Sequence, residues 1–488
     1  MITARTRSTN VSRQFGRGPS GQPQFGLAKS SEPQKGLRAA FLQVSAAAII
    51  AGSALLSQAA SAESLQDAFM VAFKTNPTVQ AQRAQLRATG ELRAQALAGL
   101  LPQINAQGSY IIANTSQTSP AGGAFDIQNA KLDQLSGAVT GDQLIFDGLR
   151  SINALRQAGD QIDAAEAQLM GIEQQLLTDV ATAYFDVVRD MAVFSLNRSN
   201  VEVLLRQLDQ ASVRFRVGEI TRTDVAQADA RLAGARANLS SASAQLAVSR
   251  ARYVQLVGQS PATLDGEIPL PVLPTSVDEA TNIAREIAPA ILIARATERA
   301  SKRGHKIAKG SLSPTVTATA SYQYAEEPNT FIVETDTFAY GARVNVPIFQ
   351  GGTRLSQIRQ TKAQNDADRQ RIYEAERQIK AQVISAWEQL TAAQANIESA
   401  RAQVDANTLA LQGVRKEALV GSRSTLDVLN AELEGLNSQV ALATAERNTQ
   451  VAAYSLMSAI GLLTPQAVGV EPVEVKSNGI GLGLLKPW

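Results

Sequence analysis

An uninterrupted helical pattern of 69 residues runs from Leu149 to Val217 and contains no proline. Apolar residues recur in it every seven residues, with a single step of eleven, at Leu155, Ile162, Leu169, Leu176, Val187, Phe194, Val201, Leu208 and Phe215. A continuous helix over this stretch would be roughly 100 Å long, which is too long for a compact core. The pattern therefore predicts an elongated protein, with weaker supercoiling where the step of eleven occurs.

A second helix is predicted from about Thr223 to Val257, after a short glycine-containing turn. Large apolar residues alternate with alanines along one of its faces, at Val225, Ala228, Leu232, Ala235, Leu239, Ala242, Leu246 and Tyr253. This alternation lets neighbouring helices approach closely. The two helices alone are equally compatible with a cytoskeletal or adhesive coiled coil, and the flanking sequence argues against that alternative.

Residues 1–62 have the features of a signal peptide. Residues 1–38 carry seven basic residues and one acidic residue, an apolar run extends from Ala39 to Leu56, and an A-x-A cleavage site ends at Ala62. A transmembrane anchor is the alternative, but the run is rich in Ala and Ser and precedes the cleavage site. The mature chain is expected to begin at Glu63 with a net charge of about −4, which gives no indication of nucleic-acid binding.

Two copies of one unit of about 200 residues make up nearly all of the mature chain. Asn76-Pro77 and Tyr110 recur as Ala288-Pro289 and Tyr322, displaced by 212 residues, whereas Phe146-Asp147-Gly148 recurs as Phe349-Gln350-Gly351, displaced by 203. We therefore divide the chain into repeat 1 at 63–262, a proline-rich linker at 263–275, repeat 2 at 276–463 and a C-terminal tail at 464–488.

Each repeat is predicted to contain one helix, a β-hairpin and a long helix pair. These elements cover about 64–99, 102–147 and 149–258 in repeat 1, and about 276–309, 314–349 and 352–461 in repeat 2. Apolar and polar side chains alternate along the strands over about ten residues, the length of a tilted strand that crosses a bilayer. A soluble sandwich is the alternative for one such strand, but four strands in an exported protein favour the membrane.

Four strands cannot close a membrane barrel, because such barrels start at eight strands and an open edge leaves backbone groups unpaired in lipid. Several chains must therefore contribute. Two chains would give a barrel whose lumen is nearly filled, and three would give twelve strands and a usable pore. The helical parts of the same chains would then close into a second, α-helical barrel.

The repeat, the Ile-Phe-Asp/Gln-Gly junctions and the turns at 217–225 and 420–428 resemble the TolC-like outer-membrane channels of Gram-negative efflux and type I secretion systems. The resemblance implies an α+β membrane protein, a homotrimer whose twelve-stranded barrel in outer-membrane lipid continues into a twelve-helix periplasmic barrel. Its implied partners are a periplasmic adaptor (membrane-fusion protein) and an inner-membrane pump or ABC transporter, and it implies no cofactor, metal or nucleic acid.

The resemblance also implies the residues of the periplasmic mouth. The turn residues Val217, Gly218, Val420 and Gly421 would dock the adaptor. Arg423 would hold the gate closed by contacting Thr223 of its own chain and Asp224 of a neighbour. Asp427 would contribute to a ring of three carboxylates, and Asn430 stands where a second ring can occur. The alternatives are helix-ending glycines and ordinary solvated charges.

Two other classes of function fit the sequence less well. An enzyme has little support, because the chain contains one histidine, His305, no cysteine and no glycine-rich phosphate loop. A trimeric coiled-coil surface adhesin or structural stalk with a barrel anchor would place its strands together at one end, whereas the two hairpins lie about 200 residues apart. Drug efflux and protein secretion are not distinguished by the chain itself.

Overall fold

The computed structural model describes residues 63–117, 127–266, 268–329 and 332–471. The predicted signal peptide and residues 472–488 of the predicted tail lie outside this range. None of the helices within it is both long enough and apolar enough to span a membrane.

The two halves of the described chain contain corresponding elements in the same order. The first half consists of α1 (Leu65–Thr75), α2 (Pro77–Ala98), β1 (Gln103–Gln117), β2 (Ile127–Phe146), α3 (Arg150–Arg216) and α4 (Arg222–Val257). The second half consists of α5 (Val277–Ile287), α6 (Pro289–Gly310), β3 (Thr315–Asn329), β4 (Ile332–Asn345), α7 (Thr353–Leu419) and α8 (Thr425–Ile460). A 3-10 helix at Gln466–Val468 follows. Helices α3 and α7 have 67 residues each, and α4 and α8 have 36 each.

Helix α3 is continuous over its whole length, as its uninterrupted pattern predicts. Around the eleven-residue step it is buried over about half of its circumference, because Leu177, Ala181, Ala183 and Phe185, which point in different directions around the helix, are each at most 3% exposed. Helix α1, the end of α4 and the end of α8 contribute side chains to the same core. The step therefore coincides with the place where shorter segments pack around the rod.

The prediction of one helix at the start of each repeat is wrong. Asn76 and Ala288 have extended backbone conformations and separate α1 from α2 and α5 from α6. The cause is the proline that follows each of them: it disfavours helical geometry in the preceding residue and provides no N–H for the continuing helix. Pro77 and Pro289 instead occupy first-turn positions of the next helix, where this N–H is not required.

The four strands form one antiparallel sheet in the order β1-β2-β3-β4, so β1 and β4 are its edges. The two hairpins have the same register. In the first, Gln103 pairs with Asp142; in the second, the residues equivalent to these by the repeat, Thr315 and Asn345, pair with each other. Strand β2 extends to Phe146 because β3 pairs with it there, whereas β4 ends at Asn345. The second hairpin, predicted to extend to residue 349, therefore ends four residues earlier in the single chain, at Asn345.

The junction between β2 and α3 requires a glycine at position 148. Gly148 has a φ of +73°, and a Cβ atom there would lie 2.5 Å from the carbonyl oxygen of Gly310 and from the Cβ of Ser313. Neither the backbone conformation nor the contact tolerates a side chain. The Phe-Asp-Gly motif thus marks the point where the sheet and the helices meet.

Glu63, the expected first residue of the mature chain, is buried. Its hydrogen bonds connect the start of repeat 1 to the end of the same repeat. Its carboxylate accepts hydrogen bonds from the Tyr253 hydroxyl at 2.7 Å and the Ala262 amide at 3.0 Å. Its carbonyl oxygen accepts a hydrogen bond from the Tyr184 hydroxyl at 2.8 Å, and its backbone forms a parallel bridge with Leu264. The linker that follows α4 is therefore held in place by the first residue of the described chain.

We expect Tyr253→Phe to lower the free energy of unfolding by about 1–3 kcal/mol, because the buried Glu63 carboxylate would lose the shortest of its hydrogen bonds and keep only those from Gln259 and the Ala262 amide. Denaturant unfolding of the detergent-solubilised protein would measure this change. Tyr373→Phe is the matched control, since Tyr373 is exposed on α7. Equal stability of the two variants would contradict the assigned role of Tyr253.

Candidate functional site

The turn between α3 and α4 is built from adjoining helix caps. Gly218 has a φ of +82°, the Glu219 amide donates to the Arg214 carbonyl at 2.9 Å, and the Gly218 amide donates to the Phe215 carbonyl at 3.0 Å. This pattern is a Schellman motif, in which glycine takes the left-handed conformation that ends the helix. A Cβ added at Gly218 would have no atom of the described residues within 4 Å, so the backbone conformation alone requires glycine.

The turn between α7 and α8 repeats this geometry. Gly421 has a φ of +79°, and the Ser422 amide donates to the Glu417 carbonyl at 3.0 Å. The two predicted docking turns therefore have the same backbone structure. The helix-ending role of their glycines is present whether or not a partner binds there.

Both aspartates predicted at the mouth cap the helices on which they lie. Asp224 accepts hydrogen bonds from the Thr221 amide at 2.9 Å and from its hydroxyl at 2.8 Å. Asp427 accepts the same bonds from Ser424, at 3.0 and 2.8 Å. These bonds hold the pKa of each carboxyl below its usual value, because they stabilise the ionised form. Both side chains are therefore negatively charged at neutral pH.

The charged pairs of the two turns have opposite polarity. In the first turn Arg214 on the helix pairs with Glu219 after the glycine. In the second turn Glu417, at the position equivalent to Arg214, pairs at 2.9 Å with Arg423 after the glycine. The Glu417 carboxylate raises the pKa of Arg423. The two turns are therefore alike in backbone but different in charge arrangement.

In the single chain, Arg423 binds Glu417 rather than Thr223. Its guanidinium makes no hydrogen bond to Thr223 in the described part of the chain, and Thr223 is exposed. Glu417 is closer along the chain and carries a full charge, so it is the stronger local partner. The predicted contact with Asp224 involves a neighbouring chain, and it stays a prediction.

The two turns lie side by side at the same end of the long helices. Together they line one groove of about 700 Å³, to which Arg214, Asp224, Arg415, Gly421 and Arg423 contribute. The tips carry exposed apolar side chains: Val217 is 73% exposed and Val420 is 80% exposed. Apolar residues surrounded by charges at an exposed helix end are typical of a surface that binds another protein. The structure therefore brings the predicted docking and gate residues together in one region.

Sequence reasoning missed a buried polar cluster near this region. Glu432 on α8 accepts hydrogen bonds from Gln207 on α3 and Arg415 on α7. Nearby, Arg231 on α4 donates to Asn430 on α8 at 2.8 Å. The available signal was the position of Glu432 three residues after the buried Leu429, which places a carboxylate on the packed face of the helix.

The tandem repeat, the hairpin within each copy and the paired turns define a member of the outer membrane efflux protein family. The profile of this family matches residues 71–259 and 280–462, so the chain belongs to it. The protein is accordingly located in the outer membrane, with a long periplasmic helical part. Nothing in the similarities supports the adhesin alternative.

Individual relatives agree with this assignment. The outer membrane efflux protein BepC of Brucella suis biovar 1 (strain 1330) is 33% identical over 440 residues, which are 89% of this chain and 93% of BepC. The outer membrane protein TolC of Escherichia coli (strain K12) is 27% identical over 433 residues, covering 86% of this chain and 85% of TolC.

Solved structures show the same fold at lower sequence identity. The outer membrane protein VceC of Vibrio cholerae aligns with a TM-score of 0.69 at 20% identity, over 81% of this chain and 96% of VceC. The CmeC outer membrane channel of Campylobacter jejuni aligns with a TM-score of 0.72 at 15% identity, over 82% of this chain and 86% of CmeC.

Proposed function

We propose that three copies of this chain form the exit duct of a tripartite efflux or type I secretion system. The duct would carry substrates from an inner-membrane transporter and a periplasmic adaptor to the outside. The observation that carries this proposal is the four-stranded sheet with two open edges, joined to helices whose turns gather at one end. The family is one of channel proteins rather than enzymes.

The choice between efflux and secretion rests with the partners. BepC is named an efflux protein, whereas the 24% identical AprF of Pseudomonas aeruginosa is named an alkaline protease secretion protein. Relatives of this chain thus carry names from both systems. We propose that the inner-membrane transporter selects the substrate and that this chain provides a passage common to either use.

The repeat register supports closure of the sheet through neighbouring copies. Ser136 on β2 pairs with Ala325 on β3 within one chain. The repeat relates each of these positions to one in the other half of the chain. Ser136 corresponds to Ala339 on β4, 203 residues later, and Ala325 corresponds to Ala113 on β1, 212 residues earlier. We therefore propose that Ala339 pairs with Ala113 of the next chain. Three such pairings would close twelve strands and leave no unpaired edge.

The same displacement gives a pairing partner to two exposed apolar residues, Phe349 beyond the end of β4 and Ile104 on β1. Phe146 pairs with Val316, and the equivalent pair is Phe349 with Ile104 of a neighbour. In the single chain Phe349 is 86% exposed and Ile104 is 76% exposed. Pairing between copies would extend β4 toward residue 349, which the sequence pattern predicts, and would bring these two side chains close together.

The mouth residues keep their proposed roles within this assembly. Val217, Gly218, Val420 and Gly421 would form the surface that docks the adaptor's helical hairpin, with apolar tips framed by the two charged pairs. Thr223, Asp224, Arg423 and Asp427 would form the gate, with Glu417 rather than Thr223 as the own-chain partner of Arg423. The location of these residues supports the assignments, since all eight lie on the two turns or in the first turns of the helices that follow them.

Reconstitution tests the proposed function. Purified protein is expected to run in detergent at the mass of three chains, measured by light scattering, and to give discrete conducting steps in planar lipid bilayers. A folded protein that remains a monomer or dimer would overturn the assembly. A trimer that never conducts, even with its mouth residues substituted, would overturn the channel.

We expect Asp427→Ala to weaken block of the channel by divalent or trivalent cations added on the periplasmic side. Three carboxylates around a narrow axis concentrate negative potential, and the substitution removes them. The effect should be modest, because position 430, where a second ring of carboxylates is possible, is occupied by the uncharged Asn430. Single-channel recordings at increasing cation concentration would measure it.

The control for this prediction is Ser424→Ala, which removes the cap of α8 but keeps the carboxylate. Cation block should persist in Ser424→Ala and fall in Asp427→Ala. If the two variants behave alike, cap loss explains the effect and Asp427 does not form the ring.

A further inference from the structure

Glu432 is a buried carboxylate on which three of the long helices converge. It is 6% exposed. Its Oε1 atom accepts a hydrogen bond from Gln207 Nε2 on α3 and another from Arg415 Nη2 on α7, the latter at 3.0 Å. Because Glu432 itself lies on α8, this one oxygen joins the helix pair α7–α8 to α3. A side chain in this position is well placed to hold the two parts of the chain together near the mouth.

The cluster has too few hydrogen-bond donors. Glu432 Oε2 and Gln207 Oε1 are both buried and have no hydrogen-bond partner within the described residues. An ionised carboxylate only accepts hydrogen bonds, whereas a protonated carboxyl also donates one. A buried acceptor without a donor destabilises the arrangement that contains it. A proton on Glu432 would therefore supply a donor where two buried acceptors lack one.

The surroundings make ionisation of Glu432 unfavourable. An apolar cluster of Leu204, Leu232, Ala235 and Leu429 packs between α3, α4 and α8, one turn from Glu432. Arg415 is the charged group that contacts the carboxylate among the described residues, and its side chain is about half exposed. Four charges on neighbouring turns of the packed helices are bonded elsewhere: Arg214 to Glu219, Glu417 to Arg423, Asp427 to Ser424 and Arg231 to Asn430. The charged residues Arg206, Asp209, Lys416 and Glu434 of the same helices are exposed to solvent.

We propose that Glu432 is a proton-dependent latch that holds α7 and α8 against α3 when it is protonated and releases them more readily when it is ionised. This proposal rests on the proposed channel function and adds a means of regulating its mouth. In this proposal the arrangement described above is the closed one, and opening moves α7 and α8 away from α3 and exposes the Glu432 carboxyl to water. The proton then has a higher affinity for the closed arrangement than for the open one.

The sign of the pH effect follows from this difference. Burial raises the pKa of Glu432 in the closed chain, and the hydrogen bonds from Arg415 and Gln207 offset the effect only in part. Exposure on opening returns the pKa toward its ordinary value. The closed state therefore gains stability as the pH falls through the raised, closed-state pKa, and opening becomes easier as the pH rises through it.

Single-channel recording with the periplasmic side titrated from neutral to mildly acidic pH tests the latch. The parent channel should conduct less as the pH falls. Glu432→Gln places a neutral side chain with a donor at the same position, so its conductance should be low at neutral pH and should lose the pH response. Glu434→Gln, an exposed carboxylate two residues farther along α8, is the matched control and should keep the parent response.

A second readout does not depend on conduction. The natural chain has no cysteine, so nitroxide labels can be attached at Asp229→Cys on α4 and Asn437→Cys on α8, both outside the buried core. The label-to-label distance should lengthen as the pH rises, and Glu432→Gln should abolish this change. Gln207→Leu, which removes the facing amide, should reduce the same response even if Glu432→Gln assembles poorly.

The outcomes separate the latch from the channel. A pH-dependent distance in a trimer that does not conduct even with its mouth residues substituted would support the latch and overturn the proposed channel. A conducting trimer whose pH response survives in Glu432→Gln would overturn the latch alone. A response of opposite sign, with opening at acidic pH that requires Glu432, would also overturn it.

Discussion

Arg423→Ser is expected to raise the open population of the trimer on the order of a hundredfold. Arginine is planar and always charged, so it can bind Glu417 in its own chain and Asp224 of a neighbour, and serine has neither the reach nor the charge. Three equivalent links act on one concerted opening. If the substitution weakens each link roughly fivefold, the three factors multiply to this shift. Single-channel conductance of the purified trimer would measure it, and uptake of a large antibiotic by cells provides a second readout.

Glu417→Gln distinguishes the two possible partners of Arg423. The own-chain pair is present in the structure, at 2.9 Å, whereas the pair with a neighbour's Asp224 is proposed. If the own-chain pair alone closes the mouth, Glu417→Gln should open the channel as much as Arg423→Ser does. If the neighbour's aspartate is the important partner, Glu417→Gln should leave the channel closed. A normally assembled Arg423→Ser trimer that conducts like the parent would show that Arg423 is an ordinary surface charge.

The double variant Ala113→Cys/Ala339→Cys is expected to form covalent trimers on mild oxidation. The repeat displacement makes these residues direct partners on neighbouring chains, and directly opposed residues of antiparallel strands are close enough for a disulfide. Because the chain has no cysteine of its own, every disulfide formed must join two introduced cysteines. Non-reducing gel electrophoresis should show nearly complete conversion to a species of three linked chains.

Two controls define the register. Ser136→Cys/Ala325→Cys is the equivalent pair within one chain, so it should oxidise without linking chains. Ala113→Cys/Gly341→Cys is offset by two residues and should link poorly. Efficient linking by the offset pair would show a different register. No linking by Ala113 and Ala339, together with an oxidised internal control, would show that β1 and β4 do not meet.

Much of the fold follows from periodic features that are local in the sequence. The heptads of 149–217 predict a single long helix, and α3 is continuous from Arg150 to Arg216. The alternating residues predict four strands, and the described residues form a sheet of four. Turn positions are also evident, because Gly218 and Gly421 each end a helix in a left-handed conformation. Such features depend on residues that are close in sequence, and they can therefore be recognised from the sequence pattern.

The wrong prediction of a single first helix in each repeat also has a local cause. Asn76-Pro77 and Ala288-Pro289 interrupt that helix, and the rule that proline disfavours helical geometry before it is sufficient to predict the break. The apolar periodicity continues across the break and by itself indicates one helix. The proline has the stronger effect because it removes a backbone donor, which side-chain packing cannot replace.

The repeat, the long helices, the strands and the two turns can be predicted from the sequence, because each depends on spacing along the chain. Which side chains meet across helices is known only from the folded structure. It paired Arg423 with Glu417, buried Glu63 against Tyr253, and brought Gln207 and Arg415 to Glu432. Such contacts join residues distant in sequence, and a charged residue on a helix face looks the same in the sequence whether it meets water or a buried partner. Packing alone determines which of these environments it has.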